Sequence, residues 1–330
     1  MTSALRTFRR FGQAGLFSAI LAGSMLSTPV QAANDAPLIA VFTKNFTNPA
    51  YAAARRGADL VAEEKGATTA HFVPESPDNV EQQKALVVEA LAQHPDLVIF
   101  VPVDDKAMVE DAAKFTTAGI PVVSFVNRLE GDFITHVGSD DVAVGYNGAK
   151  ALFEGMNGSG KVLAIEGNPA APTSRNRVKG MQNAAAEFPD IEVLGIVTGM
   201  YQKPAAYDVT VQALKDHPQI DGIWAANDVM VYGALDALNE ADRAAQLVGA
   251  NGLDGAINLI EDGTMLATVE FSAFKIACTA ARAGLRHLDG QDIPDDITVP
   301  SVLIDRTNLA PWKVPLNERM CPTWEEIVTP

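Results

Sequence analysis

AGIPVVSFVNRLEG, residues 118–131, is the stretch that decides the fold. Gly119 closes a helical pattern, an apolar run of Ile120, Val122, Val123, Phe125 and Val126 follows, and the polar pair Asn127-Arg128 stands where the run stops. A glycine stop followed by a β-branched run reads as a helix entering a buried parallel strand. Side chains at the carboxyl end of such a strand face the crevice in which open α/β sheets bind ligands.

The same pattern repeats outward from this stretch. Short apolar runs at 38–43, 69–73, 97–101, 121–125 and 133–137 read as strands, with amphipathic helices at 49–64, 79–93 and 106–117 between them. A helix over 142–156 opens a second series. Its strands are 161–165, 192–197, 222–226, 246–250 and 265–269, and its helices are 174–187, 204–216, 229–239 and 253–261. Alternation of this kind predicts the α/β class, with mostly parallel sheets covered on both faces. Two similar halves predict two similar domains. A helix over 273–288, a strand-like 298–304 and a proline-rich end complete the chain. Trp312, Leu316, Trp324 and Ile327 are too apolar to leave in water, so the end reads as an ordered strap along the surface.

A chain of 330 residues, 48% of them hydrophobic, has material for large cores and about two domains. Its first segment stands apart. Arg6, Arg9 and Arg10 precede an apolar stretch over 12–25, and Val30-Gln31-Ala32 offers small residues at the cleavage positions. Residues 1–32 therefore read as a secretory signal peptide that exports the chain. Removing them takes the net charge from −16 to −19, a sign that argues against nucleic acid and anionic membranes as partners. Export places Cys278 and Cys321 in an oxidising compartment, where either a disulfide between them or a buried Cys278 beside a free Cys321 fits.

The motifs of catalysis fail one by one. GMNGSGK at 155–161 has the spacing of a phosphate loop, but Val162 replaces the metal-binding Ser or Thr and the segment runs from helix into strand, the reverse of what that loop needs. The dinucleotide glycine fingerprint and the GxSxG elbow are missing, and His71, His94, His136, His217 and His287 are scattered without ligand spacing. The expectation is a protein without catalytic residues, cofactor or metal.

What gathers instead, at one rim of each sheet, is a set of amides, guanidinium groups and aromatic rings. After the strands of the first half come Lys44, Asn45, Phe46, Asn48, Tyr51, Asp104, Asn127 and Arg128; in the second half come Asn168, Arg175, Arg177, Tyr201, Asn227, Asp228, Asn251, Glu270 and Phe271. Planar amides and Arg supply fixed donors and acceptors, and rings cover apolar C–H faces, a mixture suited to a polyhydroxyl ligand. Asn48 and Asn227 also read as helix caps, Tyr201 and Phe271 as core, and Arg175 as the partner of a surface acid.

TNPAY at 47–51, VPVDDKAM at 101–108, AGIPVVSFVNR at 118–128, SRNRVKGM at 174–181, AANDVMVYGAL at 225–235 and GANGLDG at 249–255 together resemble the periplasmic sugar-binding proteins of the ribose-binding type. These feed ABC importers and share their core with LacI-type repressors. The resemblance covers residues 38–304 and implies two doubly wound parallel-sheet lobes joined by a three-strand hinge near Ser139, Phe271 and Pro300. The lobes would take residues 33–139 with 272–300, and 140–271 with 301–330. It implies a ligand set of Lys44, Asn48, Tyr51, Asn127, Arg128, Arg177, Tyr201, Asn227, Asn251 and Phe271, closing around a small sugar or polyol. It further implies a monomer that presents its ligand to an inner-membrane permease. Where ribose and glucose binders of this family usually carry aspartates, Asn127 and Asn251 are neutral, and Lys44 replaces a commonly small residue. An anionic ligand such as a sugar acid is then an alternative, unless Asp104, Asp228 or Glu270 neutralises Lys44. A receptor serving chemotaxis or a sensor kinase is a further alternative with the same binding chemistry. A repressor is excluded, because a signal peptide stands where the DNA-reading helices would be.

Overall fold

The computed structural model describes residues 36–328; the signal peptide read over 1–32 lies outside them. Chain order is β1 (Leu38–Phe42), α1 (Pro49–Lys65), β2 (Thr68–Phe72), α2 (Val80–Ala92), β3 (Leu97–Phe100), α3 (Val109–Thr117), β4 (Val122–Phe125) and β5 (Thr135–Gly138). The second half runs α4 (Asp141–Gly155), β6 (Ser159–Glu166), α5 (Pro172–Ala185), β7 (Asp190–Thr198), α6 (Lys203–Asp216), β8 (Gly222–Ala225), α7 (Asp228–Glu240), β9 (Gln246–Ala250), α8 (Asp254–Asp262) and β10 (Ala267–Glu270). Then follow α9 (Ala273–Leu288), β11 (Asp296–Thr298), β12 (Val302–Ile304) and α10 (Trp324–Val328).

Two six-stranded sheets result, ordered β11-β5-β4-β3-β1-β2 and β12-β10-β9-β8-β6-β7. All pairings are parallel except β10 with β12. Both sheets have helices on both sides because their strands are apolar on both faces. In β1, Ile39 and Val41 enter a core with α1 and α9, whereas Ala40 and Phe42 enter a second core with Phe72, Phe100 and Phe115. The corresponding core of the second sheet holds Leu152, Leu163, Trp224 and Val248.

The chain passes between the sheets after β5, after β10 and between β11 and β12, which is the expected three-strand hinge. The strand-like 298–304 is in fact two strands, one in each sheet. Pro300 lies between them and has no N–H to give either ladder. The tail departs from its assignment to the second lobe. Trp312 packs into the core of the second sheet and Lys313 pairs with Glu261 (2.5 Å), but Leu316, Cys321, Trp324 and Ile327 pack into the core that α1 and α9 form with the first sheet. Cys321 is joined to Cys278 of α9 by a disulfide, so the alternative with a free Cys321 falls away. The strap thus makes a fourth crossing.

Candidate ligand-binding site

Between the lobes, the carboxyl ends of β1 and β2 and the loop after β4 face the starts of α5 and α7 and the loops after β7, β9 and β10. Lys44, Asn45, Asn48, Tyr51, Asp78 and Val126 from the first lobe, with Thr173, Arg177, Tyr201, Asn227, Asn251 and Phe271 from the second, line one cavity. Its free volume is about 20 Å³, room for a single water. A cavity of about 230 Å³ on one side shares Ala50 and Asn251 with it, and another of about 430 Å³ on the other side shares Val126 and Thr173.

Eight of the ten expected ligand residues meet here: Lys44, Asn48, Tyr51, Arg177, Tyr201, Asn227, Asn251 and Phe271. Asn127 and Arg128 do not. Val126, a β-branched residue, sits at φ +61°, and the Asn127 N–H donates back to the Phe125 carbonyl at 2.7 Å. That tight reversal presents Val126 to the cavity and turns the next two residues away. Asn127 is fully buried and its Nδ2 donates to the Pro102 carbonyl at 2.8 Å. Arg128 pairs with Asp296 of β11 and lines the 430 Å³ neighbour instead.

The two cap readings and the two ligand readings turn out to be compatible. Asn48 Oδ1 accepts the Ala50 N–H at 3.0 Å and Asn227 Oδ1 accepts the Met230 N–H at 3.0 Å, capping α1 and α7. An amide has a second end, and Asn227 Nδ2 is buried with no partner. Asn251 Oδ1 and Ser174 Oγ are likewise unpartnered.

Arg177 is 2% exposed and held on three sides. Its Nε donates to Asp141 at 2.7 Å, its Nη1 donates to the Ala226 carbonyl at 2.8 Å, and its guanidinium lies 4.6 Å from the Phe271 ring centroid. Five N–H donors allow this while leaving others for a ligand. Burial pushes the Asp141 carboxyl upward and Arg177 partly offsets it. Burial also raises Tyr51 and Tyr201 above the ordinary phenol value, so both stay neutral hydroxyls. Tyr201 shares a 3.2 Å hydrogen bond with Thr173.

Lys44 is 1% exposed. Its ammonium lies 3.0 Å from Asp78 Oδ2 and 5.7 Å from the Tyr201 ring centroid across the cleft. The Asp78 contact has ion-pair distance but not hydrogen-bond geometry, so the ammonium keeps its donors. None of the three acids named from the sequence performs the neutralisation. Asp104 Oδ1 accepts the Lys106 and Ala107 amides, Asp228 accepts from Thr268 and Leu253, and Glu270 faces the 230 Å³ cavity. Asp78 lies in the loop after β2, an edge strand of the first sheet whose end was left out of the rim; extending the strand-end rule to that loop finds it. Asp141, at the first residue of α4, carried no such signal.

Two contacts bridge the mouth. Arg175 Nη2 donates to Asp105 at 2.7 Å, which is the surface acid pairing expected for Arg175, and Asn168 Nδ2 donates to Asp78 at 3.4 Å. Each joins one lobe to the other, so the lobes stand closed.

Residues 39–292 match the periplasmic binding protein domain. The xylitol-binding protein of Mycolicibacterium smegmatis is 29% identical over 71% of this chain and 68% of its own length. The D-allose-binding periplasmic protein of Escherichia coli is 26% identical over 88% and 96%. Among solved structures, a periplasmic solute-binding protein of an ABC transporter from Actinobacillus succinogenes, with bound D-allose, superposes with a TM-score of 0.78 at 30% identity, over 83% of this chain and 99% of that one. A solute-binding protein from Mycobacterium smegmatis with bound glycerol gives 0.77 at 25%, over 84% and 96%. The matched span takes in the strands of both sheets from β1 to β10, two of the three hinge crossings and every lining residue of the cleft, and on that ground the chain belongs to the periplasmic binding protein family, whose members bind their ligands rather than transform them.

Proposed function

We propose that this protein binds one small neutral polyhydroxyl molecule, a sugar or polyol, by closing its lobes around it, and hands it to an inner-membrane ABC permease. One observation carries the reading. Buried polar groups with hydrogen-bonding capacity to spare converge from both lobes: Lys44 Nζ from the first, ion-paired with Asp78 but with donors left over, and Asn227 Nδ2 and Asn251 Oδ1, which have no partner, from the second. Each unpartnered amide atom costs about 1–3 kcal/mol while unsatisfied, and a ligand with alternating donors and acceptors on successive hydroxyls satisfies them together with the ammonium. Contacts split between lobes exist only when the lobes are closed, so ligand shifts the population toward closure.

The charges favour a neutral ligand over a sugar acid. Lys44 is paired with Asp78 and Arg177 with Asp141, which leaves the cleft without net charge. The relatives named for xylitol and D-allose, and the neighbour holding glycerol, support the same class. The periplasmic location follows from the family. We read the protein as a monomer without nucleic-acid partners, in keeping with its net charge of −16.

The test is a thermal-shift series over pentitols, pentoses, hexoses and their aldonates, followed by calorimetry of the hits. A ligand at a hundred times its Kd stabilises by about 2.7 kcal/mol. Stabilisation by neutral compounds is expected, and stabilisation by aldonates alone would overturn the reading.

A further inference from the structure

We propose that Asp78 sets the charge class of the ligand by holding Lys44 neutralised in the cleft, an inference that rests on the neutral polyhydroxyl reading above. Both side chains are almost wholly buried, Lys44 at 1% and Asp78 at 6% exposure. The Asp78 carboxylate divides its oxygens. Oδ1 accepts from Asn45 Nδ2 at 2.7 Å, while Oδ2 faces the Lys44 ammonium at 3.0 Å and Asn168 Nδ2 of the other lobe at 3.4 Å. The backbone fixes the pair as well, since the Asp78 N–H donates to the Lys44 carbonyl at 3.1 Å. Asp78 therefore touches the cation, the first lobe's rim and the opposite lobe at once.

The other cation of the cleft has its own counter-ion. Arg177 is bound by Asp141 at 2.7 Å, so removing the Asp78 charge leaves Lys44 as a single uncompensated positive charge. An unpaired charge in a buried site is strongly unfavourable, and an anionic ligand is the partner that would compensate it. The cleft would pass from neutral to positive without any change of shape. Asp78 has φ +56°, a conformation that Asn adopts as readily as Asp, so Asp78→Asn is isosteric in both side chain and backbone.

The experiment compares a neutral polyol with the aldonate of the same carbon number by calorimetry on wild type, Asp78→Asn, Lys44→Met and the double variant. Wild type is expected to prefer the polyol. Asp78→Asn should move the polyol-to-aldonate affinity ratio toward the acid by about tenfold or more, the size expected of a unit charge at ion-pair distance in a partly screened site. Lys44→Met, which leaves Asp78 alone, should move the ratio the opposite way, and the double variant should return it toward the wild-type value. A ratio that stays unchanged in a cooperatively melting Asp78→Asn overturns the inference. Should that variant not fold, an unchanged ratio in Lys44→Met overturns it equally. Failure of wild type to bind any neutral polyol or sugar would instead overturn the underlying functional reading, a separate and distinguishable result.

Discussion

At the level of single residues, one side chain often serves both the fold and the ligand, and substitutions can separate the two duties. Asn227 caps α7 through Oδ1 and offers Nδ2 to the cleft. Asn227→Ser keeps a cap oxygen but loses the amide, so its melting temperature should stay near wild type while ligand affinity falls about tenfold or more. Asn227→Ala should lose about 1 kcal/mol of stability in addition. Calorimetry and thermal unfolding distinguish the two, and equal ligand affinity in all three proteins would remove Asn227 from the site. Two buried titrating groups set opposite pH trends. Desolvation, opposed by hydrogen bonds from Leu253 and Thr268, raises the Asp228 carboxyl to about 6. The folded state then holds a proton that the unfolded state has lost, so this group's contribution to stability grows as pH falls from about 6 toward 4. Burial, with the nearby Arg128 charge, lowers His136 to about 3. There the unfolded state binds the extra proton, and stability falls as pH drops below the ordinary histidine value. Relative to wild type, His136→Gln should therefore lose less stability between pH 6.5 and 4, and Asp228→Asn should lose more, as read from melting temperatures across that range.

Pairs of elements explain how the cleft is held to shape, and where sequence reading reached its limit. The strand-to-loop transitions were legible because apolar runs end abruptly in polar residues; that signal gave a longer rim list, the family resemblance narrowed it to ten ligand candidates, and eight of those ten line the cavity. Asn127 and Arg128 were misplaced because a left-handed β-branched residue is not written in any composition rule; Val126 adopts it only because the surrounding fold imposes it. Asp78 was missed because the loop after β2, at the edge of the first sheet, was left out of the rim. SRNRVKGM entered the sequence reading only as a motif of the family resemblance, and the helix crossing supplies a physical reason for its Gly180. A Cβ on Gly145 would sit 2.0 Å from the Arg177 carbonyl oxygen, and one on Gly180 would sit 2.0 Å from that of Val142. Helices α4 and α5 thus touch backbone to backbone, and this contact carries Arg177 into the cleft beside Asp141. Gly180→Ala should force the helices apart, cost about 1–3 kcal/mol and weaken ligand binding through displacement of Arg177. Gly195→Ala, where a Cβ meets nothing within 4 Å, is the control and should leave both properties unchanged. Thermal unfolding and calorimetry on the pair decide the matter, and wild-type affinity in Gly180→Ala would mean that the crossing does not position the arginine.

For the molecule as a whole, the question is what limits the opening of the two lobes. Three crossings connect the sheets, and the C-terminal strap adds a fourth on the outside. It is fastened to the second lobe by Arg319 with Asp254 at 2.8 Å, by Lys313 with Glu261 and by Trp312 in the core. It is fastened to the first by Trp324 and by the Cys278–Cys321 disulfide. Opening the lobes must stretch this strap or break its exposed ion pairs, which are individually worth less than about 1 kcal/mol. The covalent end cannot give way, so the strap biases the unliganded protein toward closure and reduces the conformational cost that ligand must meet. Replacing both cysteines, Cys278→Ala with Cys321→Ala, should lower stability by about 4 kcal/mol for a loop of 43 residues in the chain-entropy description. It should also enlarge the radius of gyration of the unliganded protein in small-angle scattering and weaken ligand binding several-fold. The liganded proteins should scatter alike, because closure around ligand does not need the strap. If the variant is destabilised but its unliganded radius and its affinity match wild type, the strap serves folding alone and the lobes open without regard to it.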